Sequence, residues 1–241
     1  MKKHIPNLIT SLNLASGFIA IIYAVNGNIV TASWLILAAM VFDFFDGFSS
    51  RILDAYSDIG KELDSLADVV SFGVAPALIV FQLLTKSLAA DASVIFNSGS
   101  IKDALILMVP VIMPVCGALR LAKFNIDETQ TTSFKGLPIP ANALAVISIV
   151  IAWHYSESKI LASFINSSAA LIILTIIISL LMVTRLPLLS LKTSHLRFRG
   201  NEGRYLMIVL VIATLAIFGI GAAPLIIPLY LAASLISLAI K

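Results

Sequence analysis

Apolar residues recur along the chain in runs of about 20, separated by short polar segments. Eight such runs cover residues 7–26, 29–50, 62–85, 103–123, 138–155, 165–184, 204–220 and 223–240. Each is about the length at which an α-helix, rising 1.5 Å per residue, crosses the hydrocarbon core of a bilayer. The last two are separated only by the Gly219–Pro224 turn, so one broken segment is the alternative there. The first run is longer than a signal-peptide core and no cleavage pattern follows it, so it is read as a mature helix. The longest polar stretches are 86–102, 124–137 and 185–203, the last a basic, head-group-facing loop around His195. The pattern predicts an all-α polytopic transmembrane helical bundle of about eight spans, with residues 1–241 forming one integral membrane domain. No role is read for the spans beyond residue 142.

Composition agrees and charge adds an orientation. The 241 residues are 59% hydrophobic and only 12% charged, with mean hydropathy +1.03, where soluble domains run near 25% charged. A water-soluble globule is therefore excluded. With eight spans, Lys2, Lys3, Arg51, Lys61, Arg120, Lys123, Lys135, Arg185, Lys192, Arg197, Arg199, Arg204 and Lys241 share one side, 13 of the 16 basic residues. The positive-inside rule makes that side, with both termini, cytoplasmic, and merging the last two spans would move only Lys241. The net charge of +3 is modest and faces lipid head groups, which suits a membrane surface better than nucleic acid. Cys116 is the only cysteine and reads as a small packed residue. Trp34, Trp153 and Tyr155 read as interface-belt aromatics.

Candidate chemistry is concentrated between Asp43 and Asp68, spaced D-x2-D-G-x3-R-x8-G-x3-D-x3-D. Asp43 and Asp46 are i,i+3 and Asp64 and Asp68 are i,i+4, so each pair shares a helical face. An Asp at mid-bilayer costs about 2.5–3.5 kcal/mol, and four close carboxylates also repel one another. A bound hard divalent cation with oxygen ligands offsets both penalties. Asp43, Gly47, Ser50 and Asp54 form one stripe, shallow beside the carboxylates; Gly60, Asp64, Asp68 and Ser71 form another. A connection of roughly 54–60 makes the two helices antiparallel neighbours whose stripes face each other at the cytoplasmic interface.

The motif resembles the signature of the CDP-alcohol phosphatidyltransferases, D-x2-D-G-x2-A-R-x8-G-x3-D-x3-D. Asp43, Asp46, Gly47, Arg51, Gly60, Asp64 and Asp68 match with every spacing kept; Ser50 replaces the alanine before the arginine. The blocks Pro6–Thr10, Ser71–Ala77, Arg120–Asn125 and Gly136–Asn142 are similar to the membrane-embedded phosphatidylserine synthase branch. The resemblance implies a reaction of CDP-diacylglycerol with L-serine that gives phosphatidylserine and CMP. It implies two divalent cations, Mg2+ or Mn2+, held by Asp43, Asp46, Asp64 and Asp68, with Asp68 also the general base. Gly47, Ser50, Arg51, Gly60, Asn7 and Thr10 would then meet the CDP-lipid; Arg120, Lys123, Asn125 and Ser71 would meet serine. A homodimer in the cytoplasmic membrane is the family's habit. Two other readings stay open: the same fold with glycerol phosphate or inositol phosphate as acceptor, which calls for converging basic residues, and a divalent-cation transporter. Transporters hold their ions near the midplane between repeats, whereas no internal repeat is visible here.

Overall fold

The computed structural model describes residues 4–89, 92–98, 100–126, 134–188 and 202–239. Much of the basic loop read around His195 lies outside them. The described chain is helical almost throughout: α1 (His4–Val25), α2 (Ile29–Ile52), α3 (Asp58–Asp68), α4 (Ala75–Ser87), α5 (Ala92–Ser98), α6 (Ile101–Met108), α7 (Ile112–Ile126), α8 (Ile139–Tyr155), α9 (Lys159–Ile165), α10 (Ser168–Val183), α11 (Glu202–Phe218) and α12 (Ile226–Ala239). One two-residue antiparallel pairing, β1 (Phe134–Lys135) with β2 (Pro187–Leu188), ties the α7–α8 connection to the chain after α10.

Five helical stretches among the described residues are long and apolar enough to cross a membrane: His4–Val25, Ile29–Ile52, Asp58–Ser87, Ile101–Ile126 and Met207–Ser237. A sixth arises if α9 and α10, bent by 81° at their junction, count as one span. α8 is apolar but shorter. Met207–Ser237 cannot be a straight rod, because α11 and α12 touch each other. In a continuous helix Phe218 and Ile226 would already be about 12 Å apart along the axis. The chain folds back through the 3-10 turn Gly219–Leu225, so α11 and α12 lie side by side.

Packing is inside-out by soluble standards. The buried face of α1 is Pro6, Thr10, Asn13, Ser16, Gly17, Ala20 and Ala24, and that of α2 is Ala32, Ser33, Ile36, Ala39 and Asp46. Large residues such as Leu8, Phe18, Phe44 and Phe48 point outward. Lipid tails are as apolar as leucine, so helices in a membrane gain by close van der Waals approach and interhelical hydrogen bonds, and small residues permit both. The Ser16 hydroxyl donates to the Leu35 carbonyl at 2.8 Å across that seam. Gly17 lies so tightly on Ser71 that any β-carbon there would overlap the Ser71 backbone. The apolar core runs through α4 and α8, where Ile79, Leu84, Ile139 and Ile147 are fully buried, as is Phe72 just before α4.

The third predicted run is not one uniform helix. α3 passes into α4 through a π-helical turn, Val69–Val74, whose wider winding resets the phase of α4 relative to α3. The aromatics expected at an interface gather at the end of the bundle away from the carboxylates. There Trp34 meets Tyr155 edge-on at 6.3 Å, and the Lys86 ammonium sits 4.6 Å from the centre of the Trp153 ring.

Candidate active site

α2 stops at Ile52, and Asp54, with φ of 47°, turns the chain before the Ser57 hydroxyl caps α3 by accepting from the Gly60 N–H at 3.0 Å. Asp54 therefore leaves the α2 stripe on which its spacing had placed it. α2 and α3 run antiparallel as expected, but their backbones scarcely touch. α1 packs against both and holds them apart.

The space so created is a cavity of about 550 Å³. α1 contributes Pro6, Asn7 and Thr10 to it; α2 contributes Asp46, Gly47 and Ser50; the turn and α3 contribute Tyr56, Gly60, Lys61 and Asp64. Gly60 keeps that wall close: a β-carbon would come within 3.0 Å of both the Ser57 hydroxyl and the Asn7 amide oxygen. Five of the six positions expected to meet a CDP-lipid line this cavity. The sixth, Arg51, is exposed and donates from Nε to its own helix, to the Gly47 carbonyl at 2.8 Å.

Three of the four carboxylates converge. One oxygen each of Asp43, Asp64 and Asp68 lies within 4.8 Å of the others, about twice a metal–oxygen bond to a small hard cation. Clustered carboxylates with no sulfur or imidazole suit Mg2+ or Mn2+ rather than a soft metal, so the donor set fits the ion the motif implies. Asp46 stands beside this trio, buried, and accepts from the Thr10 hydroxyl at 2.7 Å. Asp64 belongs to both the trio and the cavity wall. Asp68 lies deeper, ten residues or about 15 Å from the start of α3, and accepts from the Asn13 amide at 3.4 Å.

The positions expected to meet serine divide. Arg120 is 8% exposed, so it is no head-group anchor, and its Nε has no hydrogen-bond partner. It lies within electrostatic reach of Asp68. Ser71 is fully buried and donates to the Asn13 carbonyl at 3.0 Å, which fastens α1 to the π-helical turn. Asn125 donates to the Ser65 hydroxyl at 2.9 Å and accepts from Lys61 Nζ at 3.0 Å, clamping the end of α7 onto α3. Lys123 is exposed.

Two site residues were not singled out from sequence. Asn13 is fully buried beneath the carboxylates, and Lys61 brings a cation to the cavity wall. The polar, small stripe Thr10–Asn13–Gly17 inside an apolar run was the available signal for the first. Lys61 is indistinguishable in sequence from an ordinary loop cation.

The family model described as CDP-alcohol phosphatidyltransferase matches residues 3–183 of the chain. The chain belongs to that family. Members are transferases acting at membranes, which agrees with an apolar helical bundle carrying a carboxylate cluster. Among curated relatives, the archaetidylserine synthase of Methanothermobacter thermautotrophicus is 34% identical over 174 residues, covering 71% of this chain and 67% of that protein. The CDP-diacylglycerol–serine O-phosphatidyltransferase of Helicobacter pylori is 37% identical over 168 residues, 66% of this chain and 65% of its own length. Its Bacillus subtilis counterpart is 34% identical over 152 residues, 63% of this chain and 78% of its own. The family match ends at the close of α10, so α11 and α12 fall outside it.

Proposed function

We propose that this member of the family transfers the phosphatidyl group of CDP-diacylglycerol to the hydroxyl of L-serine, giving phosphatidylserine and CMP. The observation that carries the reading is the meeting of Asp43, Asp64 and Asp68 beside a polar cavity that Asp64 also lines. Serine as acceptor is supported by the relatives, one named for archaetidylserine and two for serine O-phosphatidyl transfer.

In this reading Asp43, Asp46, Asp64 and Asp68 hold two divalent cations, Mg2+ or Mn2+. When bound, such ions neutralise pyrophosphate charge that bare carboxylates would repel and stabilise the leaving phosphate of CMP. Asn7, Thr10, Gly47, Ser50 and Gly60 admit the nucleotide and pyrophosphate close to the backbone. Asp68 takes the proton of the serine hydroxyl as its oxygen bonds to phosphorus and the pyrophosphate bridge breaks toward CMP. Asn13 orients that carboxylate by donating to one of its oxygens. Arg120 grips the serine carboxylate, for which a planar guanidinium fork is well matched. Ser71 and Asn125 already hold helices together, so Arg120 is the principal acceptor contact.

We further infer eight crossings with both termini cytoplasmic and the site at the cytoplasmic face of the cell membrane. The basic residues crowded on one side and the fold-back of α11 on α12 support this. The assembly is proposed to be a homodimer on the family resemblance.

An acceptor panel tests the function. Purified protein with CDP-diacylglycerol and Mn2+ or Mg2+ should release CMP with L-serine and lose that activity in excess chelator. Release with glycerol phosphate or inositol phosphate but not serine would reassign the acceptor. Metal uptake into proteoliposomes without CMP release would favour a transporter.

A further inference from the structure

Among the described residues of the cavity wall Lys61 is the cationic side chain, and it shares that wall with Asp46, Asp58 and Asp64. Arg51, the cation that the motif offers, stays outside the wall and spends its Nε on the Gly47 carbonyl. A diphosphate entering the cavity therefore meets one built-in positive charge, and that charge is held from two directions. The Lys61 backbone N–H donates to the Ser57 carbonyl at 3.1 Å, so its Cα is fixed by the capped first turn of α3. Its ammonium donates to the Asn125 carbonyl at 3.0 Å, and the Asn125 amide in turn donates to Ser65, one turn further along α3. A carbonyl is neutral and takes only one ammonium hydrogen, so the charge is not cancelled and the other hydrogens can turn to a ligand. Depth separates Lys61 from the carboxylate proposed as base: Asp68 lies about 10 Å further along the helix axis.

We propose that Lys61 binds the nucleotide-side phosphate of the CDP-lipid and keeps that contact with CMP after the lipid has been transferred. The inference rests on the reading of the cavity as the CDP-lipid site. The phosphorus attacked by the acceptor hydroxyl lies near the base, Asp68. The phosphate that stays with the nucleotide then lies on the mouth side of it, where Lys61 stands. When the acceptor oxygen bonds to the lipid phosphorus, the bridging P–O bond breaks and its electron pair stays on the nucleotide-side phosphate. A fixed ammonium there stabilises the charge that develops on departing CMP. Its tether to Asn125 limits the freedom that the lysine loses on meeting the ligand.

Calorimetric titration of CMP into purified protein with Mn2+ separates charge from scaffolding. Lys61→Gln should weaken CMP binding about tenfold, the loss of one charge-assisted hydrogen bond, whereas Lys61→Arg should stay within about threefold of wild type. Ser65→Ala breaks the neighbouring link between α3 and α7 but leaves the ammonium in place, so it should bind CMP within about twofold of wild type. In turnover, Lys61→Gln should raise KM for CDP-diacylglycerol alongside the CMP Kd, with KM for the acceptor moved less than about twofold. CMP affinity of Lys61→Gln within about twofold of wild type would overturn the proposal. So would an equal loss in Ser65→Ala or in Lys61→Arg, or a Lys61→Gln protein that does not fold, since each reduces Lys61 to a clamp between helices. Wild-type protein that binds no CMP in the presence of Mn2+ would instead bring down the reading of the cavity as the CDP-lipid site, before any variant is measured.

Discussion

The mouth of the site and its buried end are made differently. At the mouth, Asn7, Thr10, Gly47, Ser50 and Gly60 present small polar groups and bare backbone around an open cavity, all from residues within 54 positions of one another. At the buried end, Asp68 and Arg120 come from helices far apart in sequence and are all but closed to solvent. The mouth suits a large, flat, multiply charged ligand that must slide in beside the helices. The buried end suits a small zwitterion that must be held in one pose while its hydroxyl loses a proton. Charge counts differently at the two ends, because burial strengthens each interaction and penalises each unpaired group.

Substitutions at the buried end should therefore do most damage to turnover. Asp68→Asn is expected to lower kcat by about 100- to 10,000-fold, the usual contribution of a positioned base, while CDP-diacylglycerol still binds. CMP release together with lipid-substrate binding checks this, and wild-type-like turnover would end the assignment of Asp68 as base. Arg120→Ala comes next. It should raise KM for serine by about 10- to 100-fold, the loss of a charge-assisted contact, and alter KM for the lipid far less. Equal effects on both substrates would mean that removing the cation beside Asp68 had disturbed folding rather than recognition.

How much of this could be read from the chain follows the same division. The mouth is written locally: a fixed spacing over 26 positions on two short-linked helices puts Asp43 and Gly47 on one helical face and Gly60 and Asp64 on another. Asp54 escaped that logic because the helix ended two residues before it. The wedge role of α1 was illegible for another reason. A row of small residues reports close approach without naming the partner, and here it serves α2, α3, α4 and the π-helical turn at once. That Arg120 lies inside the bundle rather than among the head groups depends on how α7 packs, which no local pattern encodes. The amide of Asn142, fully buried with neither side-chain atom hydrogen-bonded, is likewise invisible in a motif block that sequence reads only as a helix start.

At the mouth, effects should be smaller and fall on binding. Gly60→Ala forces a methyl group against the Ser57 hydroxyl and the Asn7 amide, both ends of side chains that can rotate aside. The strain is therefore shed into the cavity wall, and KM for CDP-diacylglycerol should rise by about three- to tenfold, equivalent to roughly 0.7–1.4 kcal/mol, with kcat nearly intact. A fall in kcat as large as that of Asp68→Asn would show that mouth and buried end act as one unit.

The smallest effect should come from the seam that holds the mouth open. Ser16→Ala removes the hydroxyl that donates to the Leu35 carbonyl, leaving an oxygen whose helical N–H partner remains within α2. Hydrogen bonds between helices in a membrane contribute about 0.6 kcal/mol on average, because the separated helices find other partners. The loss should thus appear only as a slight drop in resistance to unfolding in detergent, with KM for both substrates unchanged. A large drop, or a shift in KM for the nucleotide substrate alone, would mean that the α1–α2 seam controls the width of the cavity rather than merely supporting it.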